Sequence, residues 1–228
     1  MVYYFNAVEA PQDDFGLGES ISRVVYMGKD KHENVPLIEH SHPKNLWFHV
    51  DNYSSAHIYL QLTPDEQLVP FEKLEVPEAI LMAMAQLTKA NSIKANKVNN
   101  ITIIYTPVDN LHTDGSMDDG TVTFKNPKKV RKVFVAKKEN SIVNKLNKTK
   151  TEKSTDEFIN EQREYIATYM REKREREREQ EQQERELAKL YQDQKQRNKD
   201  PYADLFTEDA VRMSNSAYRN EDMEDDFM

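Results

Sequence analysis

His49, Asp51, Ser54, Ser55 and His57 fall within nine residues of one another, the densest set of chemistry-bearing side chains in the sequence. A base, an acid and two hydroxyls are the ingredients of nucleophilic hydrolysis, which needs the base within hydrogen-bond reach of the hydroxyl and the acid behind the base. His49 and Asp51 are two apart in an extended run and therefore share a sheet face, whereas Ser54 and Ser55 read as the turn before the next strand. Adjoining strand ends would bring His49 and His57 together. No G-x-S-x-G elbow accompanies them, so His49, Ser55 and His57 are catalytic candidates on proximity alone. Four of the six histidines (His40, His42, His49 and His57) lie close in sequence, yet no H-E-x-x-H spacing and no cysteine support them, and no metal or cofactor is expected. Five glycines in total and the lack of a G-x-x-x-x-G-K-S/T loop argue against an ATPase or GTPase.

A second set of residues suits polyanions. Residues 1–122 carry a balance of −9 and residues 151–228 one of −8, but residues 123–150 hold ten cations against Glu139 alone, a balance of +9. The net charge of −8 and the pI near 5.4 conceal this strip. Lys125, Lys128, Lys129, Arg131, Lys132, Lys137 and Lys138 can neutralise phosphates and release counterions, a salt-sensitive and sequence-independent attraction. Tyr26, Trp47, Phe48, Tyr53, Tyr59 and Tyr105 offer rings on which unpaired bases could stack, although such rings are equally core material.

The elements that would position these residues follow from periodicity. β-branched and aromatic runs predict strands at 2–5, 23–27, 46–50, 57–62, 101–105, 121–124 and 132–135. The Ala/Leu/Met run at 77–91, opened by Pro77, predicts a buried helix, and a shorter helix is expected within 30–40, with Val35, Leu37 and Ile38 on one face. Strands that do not alternate regularly with helices predict an α+β domain over residues 1–150, with a largely antiparallel sheet and one main packed helix. Hydrophobic residues make up only 37% and charged ones 32%, with a mean hydropathy of −0.88, so part of the chain must stay solvated.

That part begins at Ser154, where Ser154-Thr155-Asp156-Glu157 has capping-box spacing and neither proline nor glycine follows until after Lys199. A helix over 154–199 would be roughly 69 Å long. Its first turns carry Phe158, Ile159, Tyr165, Ile166, Tyr169 and Met170, a stripe able to dock, while residues 171–186 lack large apolar side chains and instead set opposite charges three and four apart. This reads as a solvated spacer, with a weak or partner-induced coiled coil as the alternative. Residues 200–228 read as a flexible acidic tail in which Tyr202, Leu205, Phe206 and Phe227 could dock on a protein partner. The longest apolar run, 79–85, is far short of a membrane span, the start lacks a secretory pattern, and a soluble cytoplasmic protein is the expectation.

Several of these residues also carry a family likeness. Met27-Gly28-Lys29-Asp30-Lys31, Glu33-Asn34, Leu46 to Asp51, Ser54-Ser55-Ala56-His57, Lys89-Ala90-Asn91-Ser92 and Tyr105-Thr106-Pro107 resemble the coiled-coil domain-containing protein twenty-five family, a stand-alone form of the NFACT-R domain. The resemblance covers roughly residues 1–150, continues into the charged helix and ends in a similar acidic tail. It implies an RNA-binding α+β domain that engages tRNA or the ribosome in quality control of stalled ribosomes or nascent chains, with no established enzyme mechanism. Carried onto this sequence, it assigns Lys29, Lys31 and Asn34 to phosphate or sugar contacts, Trp47 to the RNA-binding set, and His49, Ser55 and His57 to a polar pocket. Two departures are evident: His112-Thr113 stands where relatives carry a lysine pair, and Ser54-Ser55-Ala56-His57 replaces the Pro-Gly-Ser-His of the wider superfamily. The alternatives are a hydrolytic or release factor acting on peptidyl-tRNA, a DNA-binding protein, and a scaffold.

Overall fold

The computed structural model describes residues 1–9, 20–113 and 120–199, so the tail residues Tyr202, Leu205, Phe206 and Phe227 lie outside the described part. Two compact units divide the chain, Met1–Arg171 and the part from Glu172 onward.

The first unit is built on strands β1 (Val2–Glu9), β2 (Ile21–Gly28), β3 (Leu46–Val50), β4 (Ile58–Leu60), β5 (Ile101–Pro107), β6 (Leu111–His112), β7 (Thr123–Phe124), β8 (Arg131–Val135) and β9 (Thr151–Lys153). Its helices are α1 (Asn34–His40), α2 (Pro64–Leu68), α3 (Glu78–Ala90), α4 (Asn140–Lys148) and the first turns of α5 (Thr155–Lys199). Seven strands form one antiparallel sheet in the order β8-β5-β3-β4-β2-β1-β9, and β6 pairs with β7 apart from it. Every strand expected from the sequence is present, as is the helix over 77–91, and the α+β class with a largely antiparallel sheet holds.

Both faces of the sheet are buried. On one face Phe5, Val25, Met27, Phe48, Ile58, Leu60, Ile103 and Tyr105 meet Ile80, Met84 and Leu87 of α3 and Leu146 of α4. Helix α4 was not expected as an element: Lys145 and Lys148 gave residues 140–148 a basic cast, but Ile142, Val143 and Leu146 form its apolar stripe. On the other face Tyr4, Tyr26, Tyr59 and Trp47 stand beside one another on β1, β2, β4 and β3, since the registers pair Tyr4 with Tyr26, Tyr26 with Tyr59 and Trp47 with Tyr59. Tyr26 and Tyr59 stack at 5.0 Å.

The start of α5 covers much of this second face. Ser154 and Glu157 close the reciprocal capping box, with Glu157 N–H donating to Ser154 Oγ at 3.1 Å and Ser154 N–H to Glu157 Oε2 at 2.9 Å. Phe158 is wholly buried against Tyr26 at 5.2 Å, and Tyr165 O–H donates to the Leu62 carbonyl. His42 N–H donates to Gln162 Oε1 at 3.0 Å, while the His42 ring packs against Tyr165 and meets Tyr169 edge-on at 4.7 Å. Over residues 173–196 the side chains of α5 are exposed, and Lys173–Glu177 and Glu181–Arg185 form two i,i+4 ion pairs. Leu187, Leu190 and Tyr191 are exposed as well.

Arg131 has a role that its place in a basic strip did not suggest. Its guanidinium donates to the carbonyl oxygens of Leu74 (2.7 Å), Phe71 (2.7 Å) and Glu72 (2.9 Å) and lies 4.5 Å from the centre of the Phe71 ring. It fastens the 71–74 segment to β8, and those donors are not free for a phosphate. Replacing Arg131 by Met should therefore lower stability by about 2–3 kcal/mol, whereas Lys128→Met, at an exposed position, should stay within about 0.5 kcal/mol; urea midpoints of the two variants check this. His42 supplies a pH dependence. Burial, helped by the Lys44 charge, lowers its pKa to about 4. The unfolded imidazole takes a proton below about pH 6.5 and the folded one refuses it until near 4, so stability is full above pH 6.5 and falls as pH drops. Roughly 2 kcal/mol should be lost between pH 7 and pH 5 through this residue, and that part of the slope should vanish in His42→Phe when urea midpoints are compared across the range.

Candidate nucleic-acid interface

A cavity of about 780 Å³ opens at one end of the central strands, on the face that carries the aromatic row. Its walls come from four chain segments: the turn leaving β2 (28–31), the β3–β4 connection (52–57), the residues after α3 (91–93) and the approach to β7 (120–124). Asn34, the first residue of α1, is wedged between two of them. Gly120 has φ +80°, and a Cβ there would lie 2.9 Å from Asn34 Nδ2, so only glycine lets this wall close on Asn34. Asn34 thus sets the width of the cavity as well as lining it. On the far side Ser92 Oγ donates to the Ser54 carbonyl at 2.6 Å and Ala56 N–H to the Asn91 carbonyl at 3.1 Å, which ties the β3–β4 connection to the end of α3.

Three rings meet in the cavity wall. Trp47 and His49 alternate onto the same face of β3 and stack with parallel planes at 5.3 Å; His57 meets both edge-on, at 5.1 Å and 5.4 Å. His49 Nδ1 lies 2.8 Å from the Val50 carbonyl, which can only accept, so Nδ1 carries the proton and Nε2 keeps its lone pair. Burial lowers the pKa of His49, against a smaller opposite pull from the Val50 carbonyl and Asp51. Burial, with His49 adding to it, lowers that of His57 to about 3. Both are neutral at pH 7. Trp47 Nε1 and His57 Nδ1 are buried and find no hydrogen-bond partner within the protein.

The hydrolase-like grouping is brought together in space without its couplings. Ser55 Oγ accepts from Val50 N–H at 3.1 Å and donates to the Ala56 carbonyl at 3.2 Å, so it closes the strand turn and is bonded to neither histidine. Asp51 pairs with Lys132 at 3.1 Å and not with a histidine. Ser55 is thus a turn residue and no serine nucleophile is assembled. Among the described residues no three His, Asp or Glu side chains come together as a metal site would need.

The cations fall into separate groups. Lys29 and Lys31 are exposed at the cavity. Lys125 and Lys128 follow Phe124, whose ring stands 6.0 Å from Trp47, and Lys129 is tied in by its carbonyl, which accepts from Thr106 Oγ1 at 2.8 Å. Lys132 is exposed on β8, in register with Ile104 and, one strand further, with His49. Lys137 and Lys138 lie between β8 and α4 beside α3, where Gln86 Nε2 donates to the Lys137 carbonyl at 3.0 Å. The later cations sit elsewhere: Lys145 and Lys148 on α4, and Lys150 over the Tyr3 ring at 3.4 Å, next to β9. Because β8 and β9 are opposite edges of the seven-stranded sheet, about 29 Å apart at ~4.8 Å per strand, the strip over 123–150 is not one continuous track. It was continuous in sequence only.

Of the rings considered for stacking, Tyr26, Phe48, Tyr59 and Tyr105 are core, Trp47 is buried in the cavity wall, and Tyr53 alone is exposed at the cavity. The cavity also has apolar residues that the sequence did not single out: Ile93, 92% exposed at its rim, and Ile104, Val122 and Phe124. Asn52, with φ 65°, makes the tight turn after β3. An Asn in a turn could have been read from the sequence, but nothing in the sequence marks Ile93.

The cavity lies wholly within residues 28–124, and the family model described as "NFACT protein RNA binding domain" matches residues 1–126. Coiled-coil domain-containing protein 25 of Mus musculus is 43% identical over 156 residues, which cover 68% of this chain and 69% of that protein. Protein JLP2 of Saccharomyces cerevisiae is 39% identical over 130 residues, 56% of this chain and 61% of that one. A solved structure of the C-terminal part of the fibronectin/fibrinogen-binding protein of Streptococcus suis aligns with a TM-score of 0.43 and 20% identity, over 54% of this chain and 44% of that one. With the cavity residues all inside the matched span, the chain belongs to the coiled-coil domain-containing protein 25 family and carries its NFACT RNA-binding domain.

Proposed function

We propose that this protein binds RNA of the translation machinery, tRNA or ribosomal RNA, and acts in the cytoplasm on stalled ribosomes or nascent chains, with the cavity face as its RNA surface. One observation carries the reading: four distant segments converge on a single cavity that has lysines at its mouth and neutral polar rings within. Cations at a rim attract phosphates from any sequence, and uncharged donors and acceptors further in can meet sugar or base. Lys29, Lys31, Lys125, Lys128 and Lys132 form the phosphate-facing set in this reading, with Lys137 and Lys138 as an outer group. Arg131 is left out, since its donors are committed within the fold. A protein partner for the tail residues remains part of the proposal.

A second reading, hydrolytic release of a chain from peptidyl-tRNA, has one feature in its favour. Neutral His49, its Nδ1–H fixed on Val50, keeps Nε2 as a base that could activate water.

Reversing Lys29, Lys31 and Lys132 to Glu should weaken RNA binding on the order of tenfold and flatten its salt slope by about one unit per lost phosphate contact. Reversing Lys145 and Lys148 should change affinity by less than about twofold, since they stand on α4. Fluorescence anisotropy across a salt series reads both, and equal losses from the two variants would discard the cavity face. For the hydrolytic reading, His49→Ala should abolish release of a labelled peptide from peptidyl-tRNA even at concentrations that saturate the variant with RNA. A wild-type chain that releases nothing removes that reading.

A further inference from the structure

We propose that the cavity holds one unpaired nucleotide of the bound strand, its base inside and its phosphate on Lys29 and Lys31, so that single-stranded RNA or a strand end is taken and a duplex is refused. The inference rests on the RNA-binding reading and narrows it to a class of RNA.

Polarity is sorted inside the cavity as it is in a nucleotide. The two lysines are exposed at the mouth, where a charged phosphate keeps part of its hydration. Inside, Ile104, Val122 and Phe124 give apolar contact, and the imidazoles of His49 and His57 are held uncharged by burial. A neutral, flat heterocycle with hydrogen-bonding edges fits such an interior, whereas a second charged group would be desolvated there without a counter-ion. About 780 Å³ is within the size range of small-molecule sites.

Two atoms point to an occupant. Trp47 and His57 are 1% and 3% exposed, and of the four buried polar side-chain atoms without a partner within the described protein two, Trp47 Nε1 and His57 Nδ1, belong to residues lining the cavity, while His42 Nε2 and Tyr59 Oη belong to residues that do not. An unpaired buried polar group costs about 1–3 kcal/mol, and two in adjacent rings are rare in a folded chain unless something else satisfies them. The indole can only donate, so its partner must be an acceptor; neutral imidazole can take either part at Nδ1 by choice of tautomer. Nucleobase edges offer acceptors beside donors. In a duplex those edges are engaged in pairing, and the base must leave its stack before it can enter a pocket.

The strand would leave along β8. His49, Ile104 and Lys132 stand in register across β3, β5 and β8 on the cavity face, and Phe134, 59% exposed, follows Lys132 on the same side. A ring on an edge strand next to a lysine offers a stacking surface for the neighbouring base and a cation for its phosphate.

Trp47 is the only tryptophan, so the indole N–H signal in a proton–nitrogen NMR spectrum reports on the cavity and nothing else. The full-length chain is titrated with AMP, CMP, ribose 5-phosphate, a single-stranded RNA octamer and the same octamer annealed to its complement, with anisotropy read in parallel for the oligonucleotides. Mononucleotides and the single strand should shift the indole signal, and ribose 5-phosphate and the duplex should not. Lys29→Ala with Lys31→Ala should weaken the single strand at least fivefold yet leave the shift at saturation in place, and Phe134→Ala should weaken the octamer but not AMP. An octamer that binds by anisotropy with the indole unmoved would overturn the inference and leave RNA binding standing. Equal shifts from the duplex, or a shift from ribose 5-phosphate, would also overturn it. Failure of every RNA to bind would sink the broader reading with it.

Discussion

Strand alternation in β3 puts Trp47 and His49 on one face of the sheet and Leu46, Phe48 and Val50 on the other, and pairing with β4 and β5 on either side holds that assignment fixed. Both faces are buried, so a slip by one residue would drive His49 into the packing against α3 and turn Phe48 outward, an exchange that neither side tolerates. The candidate site depends on this register. On the second face the row Tyr4, Tyr26, Tyr59 and Trp47 is covered by Phe158 at Tyr26, and Phe124 approaches Trp47 from the hairpin side. The cavity lies where helix cover gives way to loops, at the Trp47 end of that row.

Charge in this domain is organised by the sheet and not by the order of residues. Lys125, Lys128 and Lys132 accompany one edge, Lys145, Lys148 and Lys150 run over α4 towards the other, and about 29 Å separates the edges. With a Debye length of about 8 Å at physiological ionic strength, the two groups cannot act as one field. A polyanion following the first group meets Lys29 and Lys31 across the cavity, cations that a count along the sequence assigns to an acidic stretch. The acidic balance of residues 1–122 therefore says little about the local potential at the cavity.

The sheet was legible because its strands are short, β-branched and aromatic, and bounded by turn residues; with both faces covered, burial along 46–50 and 101–105 is nearly continuous, so composition and not alternation marked 2–5, 23–27, 46–50 and 101–105. Helix α3 was legible for the matching reason, an apolar run too long for a strand. Helix α2 carried the same kind of signal that was used for α5: Thr63-Pro64-Asp65-Glu66 closes a capping box, but five residues of helix leave no periodicity to read. β9 and α4 were obscured by their lysines. The site was legible in its polar half, because Lys29, Lys31, Trp47, His49 and His57 belong to types that do chemistry and carry the family likeness. Its apolar half was not, since Ile93 and Val122 look like any other aliphatic residue until the chain is folded. Asn34 reads from the sequence as a phosphate or sugar contact and Ser55 as a catalytic candidate and pocket residue; neither reading includes their part in the fold. What the fold asks of them is to space one wall and to close one turn.

Neutral histidines at the Trp47 end follow from the same burial that completes the core. Charging His57 below its folded pKa of about 3, or His42 below about 4, requires conditions in which much of the tertiary packing around them would also be at risk. Around neutral pH the cavity interior therefore offers uncharged donors and acceptors, since burial lowers the pKa of both His49 and His57. That separates its two contributions cleanly: lysines at the rim supply a salt-dependent attraction that is indifferent to sequence, and the rings within supply a salt-independent fit that depends on what enters. A domain of this kind can hold many RNAs loosely by the first and retain one geometry by the second. Trp47 Nε1 and His57 Nδ1 are then the two of the four unpartnered buried polar atoms for which the cavity supplies a reason, a local rule of stability broken for the sake of a site.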